Sequence, residues 1–342
     1  MRAILFLLSL TCNLLFSQNE NEINILTNNN HSFFKDSTYI KSTSDKLIIK
    51  FSRDNKIESF SISENGINIK LLPNFKHKYN VSIEHDFFAF SFSLPKSWTV
   101  KNEEIYSKGK SSGTDFNITL FKNHWITKLF YNETVGYYVQ NTNDFIDNWS
   151  NSEPYIQLPD AKIKKIGGTT SYLFNAKKIS IRAINNQTEI QEKSAGSILA
   201  TLNYEYNYLY NRDDNINSKQ HKYTILPLLE YQYNWVVLNK TLLVAPKLSF
   251  GYGYSFMTDY DNVQTKHINS NTSVISFNTN ISINYTYKNL FCGIQYHLNN
   301  NYFEEGNSKI ENNISYNNLY IGYKFNTPNK LKKINSNIKR LL

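Results

Sequence analysis

The sequence predicts an all-β fold, an antiparallel transmembrane β-barrel of the outer-membrane kind with about 12 strands (10 to 14), on three observations. First, residues 272–287 alternate strictly. Ile275, Phe277, Thr279, Ile281, Ile283, Tyr285 and Tyr287 share one face, against Ser276, Asn278, Asn280, Ser282, Asn284 and Thr286 on the other. That run is longer than the ~9 to 11 residues a strand needs to cross a bilayer. Second, the same grammar returns in flanking segments: Leu202 to Tyr210, Tyr223 to Trp235, Leu242 to Tyr254, Leu290 to Leu298 and Leu319 to Phe325 each carry an apolar face opposite a polar one. Third, long polar connections (residues 211–221, 258–271 and 299–311) alternate with short ones (238–241 and 288–289), the asymmetry of barrels with extracellular loops and periplasmic turns.

From the start of the chain, Met1 and Arg2 precede an apolar run ending near Ser17, which reads as a cleaved secretory signal over residues 1–17. Cys12 follows Leu10 and Thr11, which fits a lipid-attachment pattern poorly, so no acyl anchor is expected. Residues 18–45 are rich in Asn, Ser and charge and read as a flexible leader. Residues 46–325 form the barrel. Within them, 46–72 is either a small periplasmic hairpin or the first strand, and both readings stay open. Residues 79–94, 110–121, 125–138, 166–174 and 179–184 supply further short alternating segments, and 140–160, with two Pro, Trp149 and many Asn, is a loop. Carried backwards, the long and short connections place 140–160 on the wrong side, so a strand is miscounted between Ile179 and Tyr210.

No stretch beyond residue 17 reaches the ~18 apolar residues of a helical span. The net charge of +9 falls to +8 without Arg2. Lys330, Lys332, Lys333, Lys339 and Arg340 concentrate five of those charges in a periplasmic tail, 326–342, leaving +3 for the rest and no nucleic-acid surface. Leu331, Ile334, Ile338 and Leu341 fall at helical spacing beside these cations, which suits a basic amphipathic helix; a disordered terminus fits equally. Cys292 alone remains after processing, so no intramolecular disulfide is expected.

Register can be read from the turns. A two-residue turn at Lys288 and Asn289 pairs Tyr287 with Leu290, and the 238–241 turn pairs Val237 with Leu242. Gln232 then faces Lys247 inside the barrel with Glu230 diagonal to it, an interior polar network in a lumen expected to be filled by side chains.

Four further stretches stand out: Leu72-Pro73-Asn74, Ser107-Lys108-Gly109-Lys110-Ser111, Tyr172-Leu173-Phe174-Asn175 with Ile179-Ser180-Ile181-Arg182-Ala183, and Gln191-Glu192-Lys193-Ser194-Ala195-Gly196-Ser197. Together they resemble an uncharacterised outer-membrane family of Bacteroidetes, domain of unknown function 4421. The resemblance implies a barrel in a Gram-negative outer membrane and brings no catalytic residues.

Catalytic signals are weak beside this. Gly109-Lys110-Ser111-Ser112-Gly113 has nucleophile-elbow spacing but leads into an alternating strand rather than a helix, and Glu104 stands where a phosphate loop needs its first Gly. The derived register sets His297 opposite Asn280 and diagonal to Ser282, the residue types of a barrel lipid hydrolase. A diagonal pair is about 7 to 8 Å apart at Cα, too far for a nucleophile and its base. Asp259, Asp261 and Asn262 form an acidic loop in which Gln264 replaces the Gly of a calcium site. No metal or cofactor is expected. The expected function is therefore a non-enzymatic outer-membrane barrel, a narrow porin-like pore or a plugged structural and partner-binding barrel. The alternatives are a hydrolase of phospholipid or lipopolysaccharide acyl chains and a surface module that binds ligand through long extracellular loops. Expected partners are outer-membrane lipid, lipopolysaccharide and an envelope protein.

Overall fold

The computed structural model describes residues 35–55, 60–64, 67–75, 77–94, 102–212, 217–261, 266–305, 308–329 and 331. Residues 35–326 form one compact unit. In chain order it contains β1 (Ile40–Ser42), β2 (Lys46–Asp54), β3 (Phe60–Glu64), β4 (Ile67–Leu72), β5 (Lys78–His85) and β6 (Phe88–Ser93). Helix α1 (Asn102–Lys108), β7 (Ser112–Lys122), β8 (Trp125–Val139), β9 (Gln157–Leu173), α2 (Arg182–Asn185) and β10 (Glu189–Gln191) follow. The long strands β11 (Ala195–Arg212), β12 (Asn217–Val237), β13 (Leu242–Asp261), β14 (Lys266–Tyr287), β15 (Leu290–Glu305) and β16 (Ser308–Asn326) complete the unit.

Twelve strands close into an antiparallel barrel. The order β8-β7-β6-β5-β2-β16-β15-β14-β13-β12-β11-β9 returns on itself through the β8–β9 ladder, which runs from Trp125↔Tyr172 to Tyr138↔Gln157. Among the described residues each of these twelve strands then has a hydrogen-bonded neighbour on both sides. The turns 86–87, 123–124, 238–241 and 288–289 gather at one end, with the start of β2 and the end of β16. Asp86, Asn123 and Lys288 take positive φ there (44°, 51° and 53°), matching the twist of the strands they join. The opposite end carries the hairpin tips, while the connection from β9 to β11, residues 174–194, lies at the short-turn end.

Side chains sort as the alternation demands. Ile281, Ile283, Ile294, Leu319, Ile321 and Leu229 stand exposed on the outer wall, while Ser276, Ser282, Asn284, Ser249 and Gln232 are buried on the inner one. The registers Tyr287↔Leu290, Val237↔Leu242 and Gln232↔Lys247 follow from the turns. Near the short-turn end, Phe291 projects inward against Tyr320 and Ile48, and all three are buried. Gly322 makes that room: a Cβ there would lie 2.2 Å from the Phe291 ring.

Four expectations change. Residues 46–72 split: 46–54 is the first barrel strand, and β3 with β4 forms a hairpin at the end away from the short turns, where Leu71 joins Tyr137, Val139, Ile163 and Leu209 in a small apolar core. Residues 35–45, read as leader, hold β1 and pair with β10. Residues 157–160, read as loop, begin β9, and the long polar connections at 211–221, 258–271 and 299–311 are mostly strand. The miscount lay in residues 179–184: they form no barrel strand, and the whole 174–194 connection folds into the barrel mouth, which puts 140–156 back at the hairpin-tip end.

Gly322→Ala should destabilise the barrel by about 1–3 kcal/mol through overpacking. In a Phe291→Ala background the same change should cost little. Urea unfolding of both single variants and the double variant measures the coupling; equal penalties in the two backgrounds would remove Phe291 as the cause.

Candidate functional site

Residues 174–194 enter the barrel at the short-turn end and are held by its walls at several points around the circumference. Asn234 of β12, fully buried, donates from Nδ2 to the Ser180 carbonyl at 2.8 Å and to Gln191 Oε1 at 3.1 Å. Lys50 of β2 donates to the Asn185 carbonyl at 2.7 Å, and Asn284 of β14 to that of Ile184 at 3.3 Å. Arg182 lies 5.0 Å from the Phe121 ring of β7 and reaches the Asp86 carbonyl at 3.3 Å. Since β7 and β14 stand six places apart in the ring of twelve, these contacts cross the lumen. The segment is a plug.

Its interior is tightly satisfied. Ile179, Ile181, Ala183 and Ile184 are buried. Ser180 Oγ accepts the Ala183 N–H at 3.0 Å and donates to Glu189 Oε2 at 2.6 Å. Gln191 Oε1 takes the Ser180 N–H at 2.8 Å, and its amide donates to the Lys178 carbonyl at 2.7 Å. Glu189, 4% exposed, holds Lys35 at 2.5 Å and Arg182 at 3.5 Å, so a buried carboxylate meets two cations. Burial pushes the Lys35 ammonium below its ordinary range, while Glu189 pulls the other way. The ribbon of β1 and β10 thus ties residues 35–43 beneath the plug.

Above the plug lies a chamber of about 700 Å³ with a mostly polar wall. Ile181, Ile184 and Asn185 form part of its floor; Pro73, Phe75 and Tyr137 line it elsewhere. Three ion pairs stand on its wall, Lys50–Glu84 at 2.7 Å, Lys78–Asp115 at 2.8 Å and Lys247–Glu230 at 3.1 Å, and Asp54 there accepts from the Asn80 amide at 2.7 Å. Such partners are required because a lone buried carboxylate costs several kcal/mol. The interior is therefore not filled by side chains alone, as expected for a narrow lumen, because twelve strands enclose more space than side chains fill.

Of the anticipated network, Lys247 Nζ donates to Glu230 at 3.1 Å, as does Ser249 Oγ, whereas Gln232, opposite Lys247 in the ladder, donates from Nε2 to Asn234 Oδ1 at 3.0 Å, on the side of the plug. Asn280 and His297 are direct cross-strand partners, 2.6 Å apart at Nδ2 and Nδ1, and Ser282 Oγ donates to Asn280 Oδ1 at 3.2 Å. The asparagine stands between serine and histidine, whereas nucleophile activation needs the histidine on the serine. His297 stacks on Tyr316 at 4.3 Å. Asp259 sits on β13 and accepts from Gln220 at 2.9 Å. Among the described residues no three His, Cys, Asp or Glu gather as a metal set. Lys330, Lys332, Lys333, Lys339 and Arg340 lie outside the described residues, as do 1–34.

Sequence reasoning missed the plug residues Ser180, Arg182 and Glu189 and the groups outside the plug that hold them, Lys35 and Asn234. One signal was available: Arg182 and Glu189 put opposite charges into a segment otherwise read as strand and turn. It also missed a lock at the other end, where Ser111 Oγ accepts the Asn74 N–H at 2.6 Å and donates to the Gly136 carbonyl at 2.8 Å. Gly136 has φ +83° at the β8 bulge, and a Cβ there would meet the Lys110 carbonyl at 2.1 Å. The segments that carried the family resemblance thus fall at the plug with the ends of β9 and β11 that flank it, and at this lock.

Arg182→Ala should leave Asp86 and Glu189 short of a cation and loosen the plug by about 3–5 kcal/mol. Hydrogen exchange should then show protection falling on the order of 100-fold or more at residues 179–191, with the β12–β14 ladders unchanged. Loss of protection across the whole barrel, or none anywhere, would contradict an independent plug.

No curated protein matches the chain. Among solved structures it is similar to the ferric citrate transporter FecA in its unliganded form (10% identity, 82% of this chain and 42% of that one, TM-score 0.33). It is also similar to OmpT of Vibrio cholerae (8% identity, 86% and 100%, TM-score 0.33) and to the β domain of the Bordetella autotransporter BrkA (9% identity, 84% and 100%, TM-score 0.36). The chain spans less than half the length of FecA. The model of one family covers residues 35–325, the plug and the whole barrel together, and the chain belongs to that family, Domain of unknown function (DUF4421).

Proposed function

We propose that this chain is an integral outer-membrane barrel of a Gram-negative, Bacteroidetes-type envelope, exported by the signal at residues 1–17, and that it works as a plugged, non-catalytic binding and structural barrel rather than as an open pore. The exposed apolar wall supports the membrane setting. Leu229 is 61% exposed and Phe250 59%, within a continuous belt that water would penalise. Trp235, Tyr287 and Tyr323 edge the belt at the short-turn end and Tyr206, Tyr223 and Tyr254 at the other, the placement of interfacial aromatics. Short turns and both barrel termini then face the periplasm, with the chamber and hairpin tips toward the exterior.

The observation that carries the plugged reading is the plug itself, fastened to β2, β7, β12 and β14 across the lumen. A catalytic reading would need a nucleophile on its base, and the Ser282, Asn280, His297 order does not supply one. In planar bilayers the purified chain should be electrically silent. An Arg182→Ala/Asn234→Ala variant, with two plug anchors removed, should give flickering stepwise conductance. Stable steps of the same size from the unaltered chain would overturn the plugged reading, and lipid hydrolysis by it would overturn the non-catalytic one.

A further inference from the structure

Above the apolar belt on the outer wall, at the hairpin-tip end, the registers of five neighbouring strands stack three rows of outward side chains. The lowest, Tyr131, Ile166, Tyr206, Tyr223 and Phe256, is aromatic and apolar. The next is Glu133, Lys164, Tyr208, His221 and Thr258, and the third Val135, Lys162, Tyr210, Lys219 and Tyr260. On β12 the outward run from Trp235 to Tyr223 rises about 30 Å along the axis at a tilt of ~40°, slightly more than the ~25 Å apolar band of such barrels. The upper rows therefore sit at headgroup level.

Three lysines, Lys162, Lys164 and Lys219, stand in these two rows. Glu133 holds Lys164 at 3.3 Å and Lys162 at 3.5 Å, and takes the Tyr131 hydroxyl at 2.7 Å. One carboxylate thus places two cations side by side and neutralises one charge. Lys219 lies 5.7 Å over the Tyr210 ring. Tyr208 stacks on Tyr210 at 6.3 Å and meets His221 at 5.0 Å, and Tyr206 Oη lies 2.7 Å from His221 Nδ1. The result is a net positive patch on a stiff aromatic floor, directly above apolar wall. A partner that fits must offer phosphate at the level of the lysines, polar rings or hydroxyls against the tyrosines, and acyl chains below.

We propose that this face of β8, β9, β11, β12 and β13 binds a phosphorylated glycolipid of the outer leaflet, of the lipid A class. The inference rests on the outer-membrane reading above, which sets the hairpin tips on the exterior side. Lys162, Lys164 and Lys219 bind the phosphates, the tyrosines the sugar, and Tyr223, Ile225 and Phe256 the first methylenes of the chains.

Native mass spectrometry of the detergent-solubilised full chain, titrated with bisphosphorylated lipid A, its dephosphorylated form and phosphatidylglycerol, tests it. The chain should retain bisphosphorylated lipid A at least about tenfold more tightly than either comparison lipid. Each basic residue near an anionic headgroup is worth roughly fivefold, so Lys162→Gln/Lys164→Gln/Lys219→Gln should lose on the order of 100-fold. Arg53→Gln, on the outer wall of β2, should lose nothing. Equal retention by the triple variant, or of phosphatidylglycerol and lipid A, would overturn the proposal. Insertion into liposomes with heat-modifiable gel mobility, measured on the same samples, separates the two readings: a chain that inserts without preferring lipid A refutes the glycolipid site alone, and one that does not insert refutes both.

Discussion

Every backbone N–H and C=O in a wall that faces hydrocarbon must find its partner inside the wall, and that constraint organises this molecule. The β8–β9 and β9–β11 ladders answer it by joining the two ends of the sheet. Closure at twelve strands has a consequence for the inside. Eight strands enclose about as much space as side chains can fill; twelve leave a lumen, and the alternation that turns Ile281 and Leu319 outward turns Ser282 and Asn318 into it. A wide, polar lumen needs something in it other than a hydrophobic core.

The chain supplies that filling from the single long connection at its short-turn end. Residues 174–194 bury Ala176, Ile179, Ile181, Ala183 and Ile184, and their hold on the wall adds hydrogen bonds aimed at main-chain carbonyls: Asn234 to Ser180, Lys50 to Asn185, Asn284 to Ile184. Such bonds stabilise modestly when made and cost more when one partner is removed and the other stays buried. The Glu189, Arg182 and Lys35 group follows the same logic with charge. A plug built this way is specific in position yet separable from the ladders of the wall, which is why its local opening and the barrel's unfolding are distinct events.

Much of the wall was legible because strands report themselves through a period of two. The two-residue turn at Lys288 and Asn289 fixed Tyr287 against Leu290 and hence Asn280 against His297, ladder by ladder. The plug was not legible for a physical reason. Ile179, Ser180, Ile181 and Arg182 alternate as a strand would, but the groups that hold them are single side chains far away in sequence, Asn234 and Asn284 among them, each indistinguishable from its inward-facing neighbours. Loop length misled in the same way. Polar residues at 266–271 and 299–305 continue β14 and β15 beyond the apolar belt, where the outer face no longer needs to be apolar, so the pattern that marks a strand disappears while the strand goes on.

The central claim is that residues 174–194 sit in the barrel mouth and touch walls on different sides. Paired cysteines test this most directly, in a Cys292→Ser chain so that no native thiol interferes. Ser180→Cys with Asn234→Cys and, separately, Asn185→Cys with Lys50→Cys tie the plug to β12 and to β2, five places apart in the ring. Both pairs should cross-link in high yield with a short bifunctional thiol reagent in the folded, membrane-inserted protein. Failure of both, or a link to one wall only, would mean that the segment hangs outside the mouth and that the lumen is open.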